Sequence, residues 1–241
     1  MSDNFFQPNR TAARWGTQAV GIDEGLRAYM LRVYNYMASG VLLSGIVAFL
    51  IASSPAAIHL VFGTPLKWVV MLAPLGFVFA LSAGINRLSL FASQALYWTF
   101  AACMGASLAS IFLVFTGESV ARVFFITAAT FAGTSLYGYT TKADLSKFGS
   151  FLFMGLIGIV IASLVNLFMA SSALQFAISV IGVLVFTGLT AYDTQRIKET
   201  YYESAGHEVA GKMALMGALA LYLDFINLFM MLMQLLGTRR D

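Results

Sequence analysis

The chain has 241 residues, 59% of them hydrophobic and 10% charged, with a formal net charge of +3 and 21 glycines against 4 prolines. A soluble domain carries about a quarter charged residues, so this composition excludes one and indicates an integral membrane protein. The basic residues flank apolar runs without interleaved aromatics, which excludes nucleic acid as a partner, and residues 1–28 are polar, with none of the marks of a cleaved signal peptide.

A helix needs about twenty apolar residues to cross about 30 Å of hydrocarbon. The chain supplies seven such runs, near 29–53, 66–86, 90–116, 119–141, 148–170, 173–195 and 213–237. They are continuous rather than alternating with period two, which predicts an all-α bundle and not a barrel. Turn signals separate them at Ser53-Ser54-Pro55, Gly63-Thr64-Pro65, Asn86, Thr116-Gly117-Glu118, Lys142-Ala143-Asp144 and Ser171-Ser172. The expected organisation is a polar cytoplasmic segment over 1–28, one seven-helix membrane domain over 29–237 and a short tail over 238–241. The segment 199–211, with Glu203, His207 and Glu208, reads as a solvated loop.

A cytoplasmic N-terminus puts Arg10, Arg14, Arg27, Arg32, Arg87, Lys142, Lys147, Arg196, Lys198 and Lys212 on the inner side, ten of the fourteen basic residues. Lys67, Arg122, Arg239 and Arg240 then fall outside. Seven full spans place the C-terminus outside. The closing Arg239-Arg240 pair favours the opposite, as a re-entrant last segment would, and both remain open at this stage.

Two aspartates, Asp193 and Asp224, are embedded in the last two apolar stretches, whereas Glu118 and Asp144 fall at turns. An aspartate at mid-membrane costs about 2.5–3.5 kcal/mol on insertion scales, so such residues face the protein interior and usually function. Helical steps from Asp224 put Gly217, Ala220, Asn227, Met231 and Gln234 on its face, while Leu221, Phe225, Phe229 and Leu232 lie elsewhere. A helix with a polar stripe and apolar flanks belongs at the centre of a bundle. Asn227 and Gln234 either line a pathway or hydrogen-bond neighbouring helices. Asp193 either pairs with Arg196 at i+3 or joins Asp224 in a dry dyad, where two carboxylates cannot both ionise cheaply and the pair holds one proton. Arg87, at the end of the second span, either snorkels to lipid phosphates or reaches a deprotonated dyad on the same side.

Other chemistries fail on their residues. Gly206 to Lys212 matches the glycine and lysine positions of a nucleotide-binding loop, but Met213 stands where the magnesium-binding hydroxyl is required and no strand precedes it. His59 and His207 stand apart from other metal-type ligands and read as loop residues, and the single cysteine, Cys103, is expected to serve as a small buried apolar residue. No catalytic motif is present, so an enzyme is not expected.

The stretches Tyr192-Asp193-Thr194-Gln195 and Leu221-Tyr222-Leu223-Asp224-Phe225-Ile226-Asn227-Leu228-Phe229 resemble the Bax inhibitor-1 family, and the resemblance extends over residues 25–237. It implies six helices around a central C-terminal one. It also implies a pH-sensitive calcium leak governed by an aspartate pair, here Asp193 and Asp224, with an arginine latch that falls by position on Arg87. Calcium takes six to eight oxygens; two aspartates offer four, leaving Asn227, carbonyls or water, so binding would be weak and calcium a transported ion, with no cofactor. The short tail points to a bacterial-type member in the cytoplasmic membrane. A second reading, from bacterial relatives, is a regulator of a membrane-bound AAA protease contacted through residues 1–28. A third, a proton-coupled transporter, would use the same dyad, but no broken helix or substrate pocket is legible.

Overall fold

The computed structural model describes the backbone of residues 10–201 and 206–240, and the side chains of these from Glu24 onward with His207 apart. Asn4 and Glu203, two positions that would report topology, lie outside the described residues. In chain order the helices are α1 (Arg10–Ala52), α2 (Pro55–Phe62), α3 (Leu66–Gly84), α4 (Leu90–Leu108), α5 (Ile111–Val114), α6 (Gly117–Thr140), α7 (Ser146–Met169), α8 (Ser172–Thr200) and α9 (His207–Leu236). Seven segments are long and apolar enough to cross a membrane, from Glu24–Ala52 to Glu208–Leu236, and each overlaps one of the expected spans.

The last helix is the centre of the bundle. In α9, 67% of the most apolar window is buried, against at most 39% in any other span. It packs on α1, α4, α6 and α8, while α3 sits chiefly on α4 and α7 on α8. Close approach depends on glycine at two crossings. A Cβ on Gly105 would lie 2.5 Å from the Ser44 carbonyl oxygen of α1, and one on Gly138 would lie 2.2 Å from that of Ala191 in α8. Only a residue without a side chain allows backbones so near.

Three expectations need correction. The segment 199–211 is helical at both ends rather than a loop throughout: Glu199 and Thr200 belong to α8, and His207 to Gly211 to α9. At about 1.5 Å per residue, α9 is about 45 Å long, so its polar first turns extend past about 30 Å of hydrocarbon without ceasing to be helical. The Glu208–Lys212 ion pair, 2.9 Å at i,i+4, lies on that extension. His59 is not in a loop either but on the exposed face of α2, which starts where Ser54 accepts the Ala57 N–H at 3.3 Å and Pro55 fills the first position. The third span is broken after all. The Ser110 hydroxyl donates to the Ser107 carbonyl at 2.9 Å, and the backbone tightens to three-residue spacing between α4 and α5.

Because α9 is one uninterrupted helix, the re-entrant alternative falls away. Its tail returns along the end of the third span: the Arg240 N–H donates to the Val114 carbonyl at 2.9 Å and the Thr116 N–H to that of Thr238 at 3.0 Å. Arg27, Arg87, Lys142, Arg196, Lys198 and Lys212 therefore share one end of the bundle, with Lys67, Arg122, Arg239 and Arg240 at the other.

Candidate functional site: a carboxyl pair between the last two long helices

Residues of the Tyr192–Lys198 stretch of α8 reach several neighbouring elements. Gly149 of α7 packs on the Tyr192 ring, which a Cβ there would meet at 2.7 Å. Thr194 donates to the Thr190 carbonyl at 2.7 Å, which uses its only proton. Ser135 of α6 must then donate to Thr194 at 2.9 Å, and Tyr34 of α1 to Ser135 at 2.7 Å. A directed hydroxyl chain thus ties α1, α6 and α8 together. Gln195 is buried; its Oε1 accepts the Leu145 N–H and its Nε2 donates to the Ala143 carbonyl, both at 2.8 Å, which fastens the α6–α7 turn to α8. Lys198 donates to the Tyr139 carbonyl at 2.8 Å, at the C-terminal end of α6 where a cation is favourable.

Asp193 points from this frame toward α9. Its carboxyl lies within hydrogen-bonding reach of that of Asp224, and both line a cavity of about 550 Å³ with Asn227, Tyr192 and Gly149. Asp224 is only 5% exposed, and its Oδ2 is buried with no hydrogen-bond partner. A second cavity, of about 470 Å³, lies toward the end where α9 starts and is lined by Tyr29, Asn86, Asp193, Lys212 and Gly217. Ala220 and Arg196 border both, so the two meet at the carboxyl pair across one small side chain.

The structure brings together Asp193, Asp224 and Asn227 and leaves two other candidates apart. Gln234 is exposed, ten residues and about 15 Å along α9 from Asp224. Arg87 is exposed just past the end of α3 and lines neither cavity, although its neighbour Asn86 does. The cation whose charge reaches Asp193 is Arg196. Sequence reasoning treated Arg196 as a mere interfacial partner of Asp193, and missed Ala220 as a dividing wall and Tyr222 as an anchor. Tyr222 is fully buried and donates to Ser44 at 2.6 Å, Ser44 in turn donating to the Ala101 carbonyl at 2.6 Å. A serine in the apolar run of the first span was the available signal.

No group of three or more His, Cys, Asp or Glu suited to a tight metal site occurs among the described residues. Fold and site define an integral membrane protein whose central C-terminal helix carries a buried carboxyl against its neighbour. The chain belongs to the Bax inhibitor-1 family, and residues 26–241 match the family described as inhibitor of apoptosis-promoting Bax1. It is 52% identical to a protein of Rickettsia prowazekii over 91% of this chain and 93% of the relative, and 48% identical to one of Caulobacter vibrioides over 92% and 93%. It is also 47% identical to the inner membrane protein YbhL of Escherichia coli over 90% and 94%.

Proposed function

We propose that the protein is a passive, pH-sensitive, calcium-permeable leak of a bacterial cytoplasmic membrane, with its pathway along the α8–α9 seam. The observation that carries this is the buried, unpartnered Oδ2 of Asp224 beside a second carboxyl, with a cavity on either side. A bare carboxylate in such a place is expensive unless it is protonated or paired with a cation. Two carboxyl groups in contact meet that demand by sharing one proton, and when it leaves, the site attracts a cation to replace it. Asp193, Asp224 and Asn227 offer at most five oxygens, and water fills the rest of the six to eight that calcium takes, which suits transit better than storage. The end richer in lysine and arginine, where α9 starts, faces the cytoplasm under the positive-inside rule.

The positive charge of Arg196, one turn along α8, acts on Asp193 and favours its ionised form. Arg87 acts as the latch when the end of α3 closes on the deprotonated pair. Calcium uptake into proteoliposomes over roughly pH 5–8, a range that brackets shared carboxyl protons, tests the scheme with wild type, Asp193→Asn and Asp224→Asn. Either substitution removes the like-charge contact and should flatten the pH response and weaken calcium binding, and Asp224→Asn, the more buried of the two, should have the larger effect on conduction. If all three proteins share one pH profile and one calcium affinity, the aspartates are structural and the scheme fails.

A further inference from the structure

The helices around α9 do not close on every side. α1 and α6 both flank α9 without packing closely on one another, and the space between them forms a long apolar crevice in two halves of about 690 and 670 Å³. The halves share Val41, Phe124 and Phe225, so they are continuous through the middle of the bundle. One half runs to a mouth at Ser53, Gly117 and Arg240, the other to a mouth at Arg27 and Tyr139. Among the described residues, the only charged side chain in each lining is an arginine.

We propose that this crevice binds anionic phospholipid, one molecule from each leaflet, with acyl chains against α9 and the headgroup phosphate at Arg240 in one leaflet and Arg27 in the other. Length supports the assignment. From Arg27 to Ala52, beside the Arg240 mouth, α1 rises about 38 Å, which exceeds about 30 Å of hydrocarbon and falls just within the roughly 40–45 Å that includes the headgroups. Both guanidinium groups therefore stand at phosphate level while the shared residues lie near the midplane. Charge supports it as well, since two cations at the mouths of a groove whose described lining holds no carboxylate complement an anionic headgroup and a hydrocarbon tail.

The interior shape selects against a protein occupant. The Tyr34–Ser135 hydrogen bond joins α1 to α6 at 2.7 Å within one half, so a helix about 10–12 Å across cannot seat between them there, whereas a slender acyl chain can lie alongside. Space for it exists at Gly45, where a Cβ would meet nothing within 4 Å. The exposed surface of α7, with Phe151, Leu167 and Phe168, is by contrast part of an outer helix and contacts lipid only as any membrane surface does.

The site does not depend on the leak reading, although the lipid would touch Phe225 and Ile226, the two residues after Asp224. Native mass spectrometry of the full-length protein, released from nanodiscs of mixed phosphatidylglycerol and phosphatidylethanolamine, tests it. Wild type should retain two phosphatidylglycerol molecules per chain. Arg27→Ala and Arg240→Ala should each lose one, with affinity at that half falling about fivefold per arginine removed. Lys67→Ala, an exposed cation outside the crevice, should retain both, and Gly45→Leu should expel the lipid of the Arg240 half with Arg240 still present. Equal retention of the two lipids by wild type, or unchanged retention in both arginine variants, overturns the proposal. A lipid-free dimer would also overturn it and give the crevice to a second copy of the chain.

Discussion

Gln195→Ala separates the structural work of the Tyr-Asp-Thr-Gln stretch from its chemistry, because it leaves both carboxyl groups in place. The substitution deletes two 2.8 Å hydrogen bonds, one from the Leu145 N–H and one to the Ala143 carbonyl. A buried group left without its partner costs about 1–3 kcal/mol, but Ala143 is exposed and water can take over its carbonyl, so most of the loss falls on the half-buried Leu145 N–H. The sum is about 1–3 kcal/mol. At roughly 2–4 °C per kcal/mol for a chain of this size, the melting temperature in detergent should fall by about 2–12 °C. Gln195→Glu keeps the acceptor for Leu145 but, when ionised, donates nothing to Ala143, and should lie between wild type and alanine. Fluorescence-detected size-exclusion after heating would measure all three. Gln195→Ala melting with wild type, or Gln195→Glu melting below Gln195→Ala, would refute the clamp.

On α6, Gly138→Ala should destabilise by about 1–3 kcal/mol because its Cβ would strike the Ala191 carbonyl, whereas Gly133→Ala, with nothing within 4 Å, should gain about 0.5–1 kcal/mol of helix stability; the same melting assay compares them. Ala220→Leu enlarges the wall between the two cavities and should cut calcium uptake severalfold without touching either carboxyl group, and unchanged uptake would place the path elsewhere. Arg196→Gln should raise calcium uptake at neutral pH, where its positive charge opposes an entering cation; Arg87→Ala should raise it as well by removing the latch, and neither should act in acid, where the carboxyls are protonated. In the α6–α7 turn, the Ser146 hydroxyl and N–H both donate to Asp144 and hold its carboxyl below the ordinary 3.8. That contribution to stability is present above the unfolded value and is lost as pH falls through the folded one, so Ser146→Ala should raise the Asp144 titration midpoint read by carbon NMR.

Hydropathy made the seven spans legible because each must cover the same thickness of hydrocarbon, and the polar stripe of α9 was legible because helical periodicity fixes which residues share a face. Gly217, Ala220, Asp224 and Asn227 do line the seam with α8, and Gly182 of α8 accommodates Met231. Periodicity does not say which neighbour a face meets. That is why Arg196, one turn beyond Asp193 on the same helix, was underrated against Arg87, whose chain position puts it at the correct end of the bundle but whose side chain faces solvent. Gln234 shares the angular position of Asp224 but not its depth. The helical ends at Thr200 and His207 were missed for a related reason: polarity marks where a helix leaves the membrane, not where it stops.

The segment Tyr222–Phe225 shows why one helix serves as the hub. Successive helical residues point about 100° apart, and here each direction meets a different wall. Tyr222 is held on Ser44 and stacks edge-on against Phe100 at 5.0 Å, which ties this level of α9 to α1 and α4. Asp224 faces α8. Phe225 packs edge-on against Phe124 and Phe131 of α6, both at 5.6 Å, and forms the floor shared by the two halves of the lipid crevice. A rotation of α9 that relieved a doubly charged Asp193–Asp224 contact would have to break the Tyr222–Ser44 bond or displace the Phe225 ring into the crevice. Protonation at the carboxyl pair and occupancy of the crevice therefore act on the same rigid element from adjoining faces, and packed interiors switch between discrete arrangements rather than bending gradually.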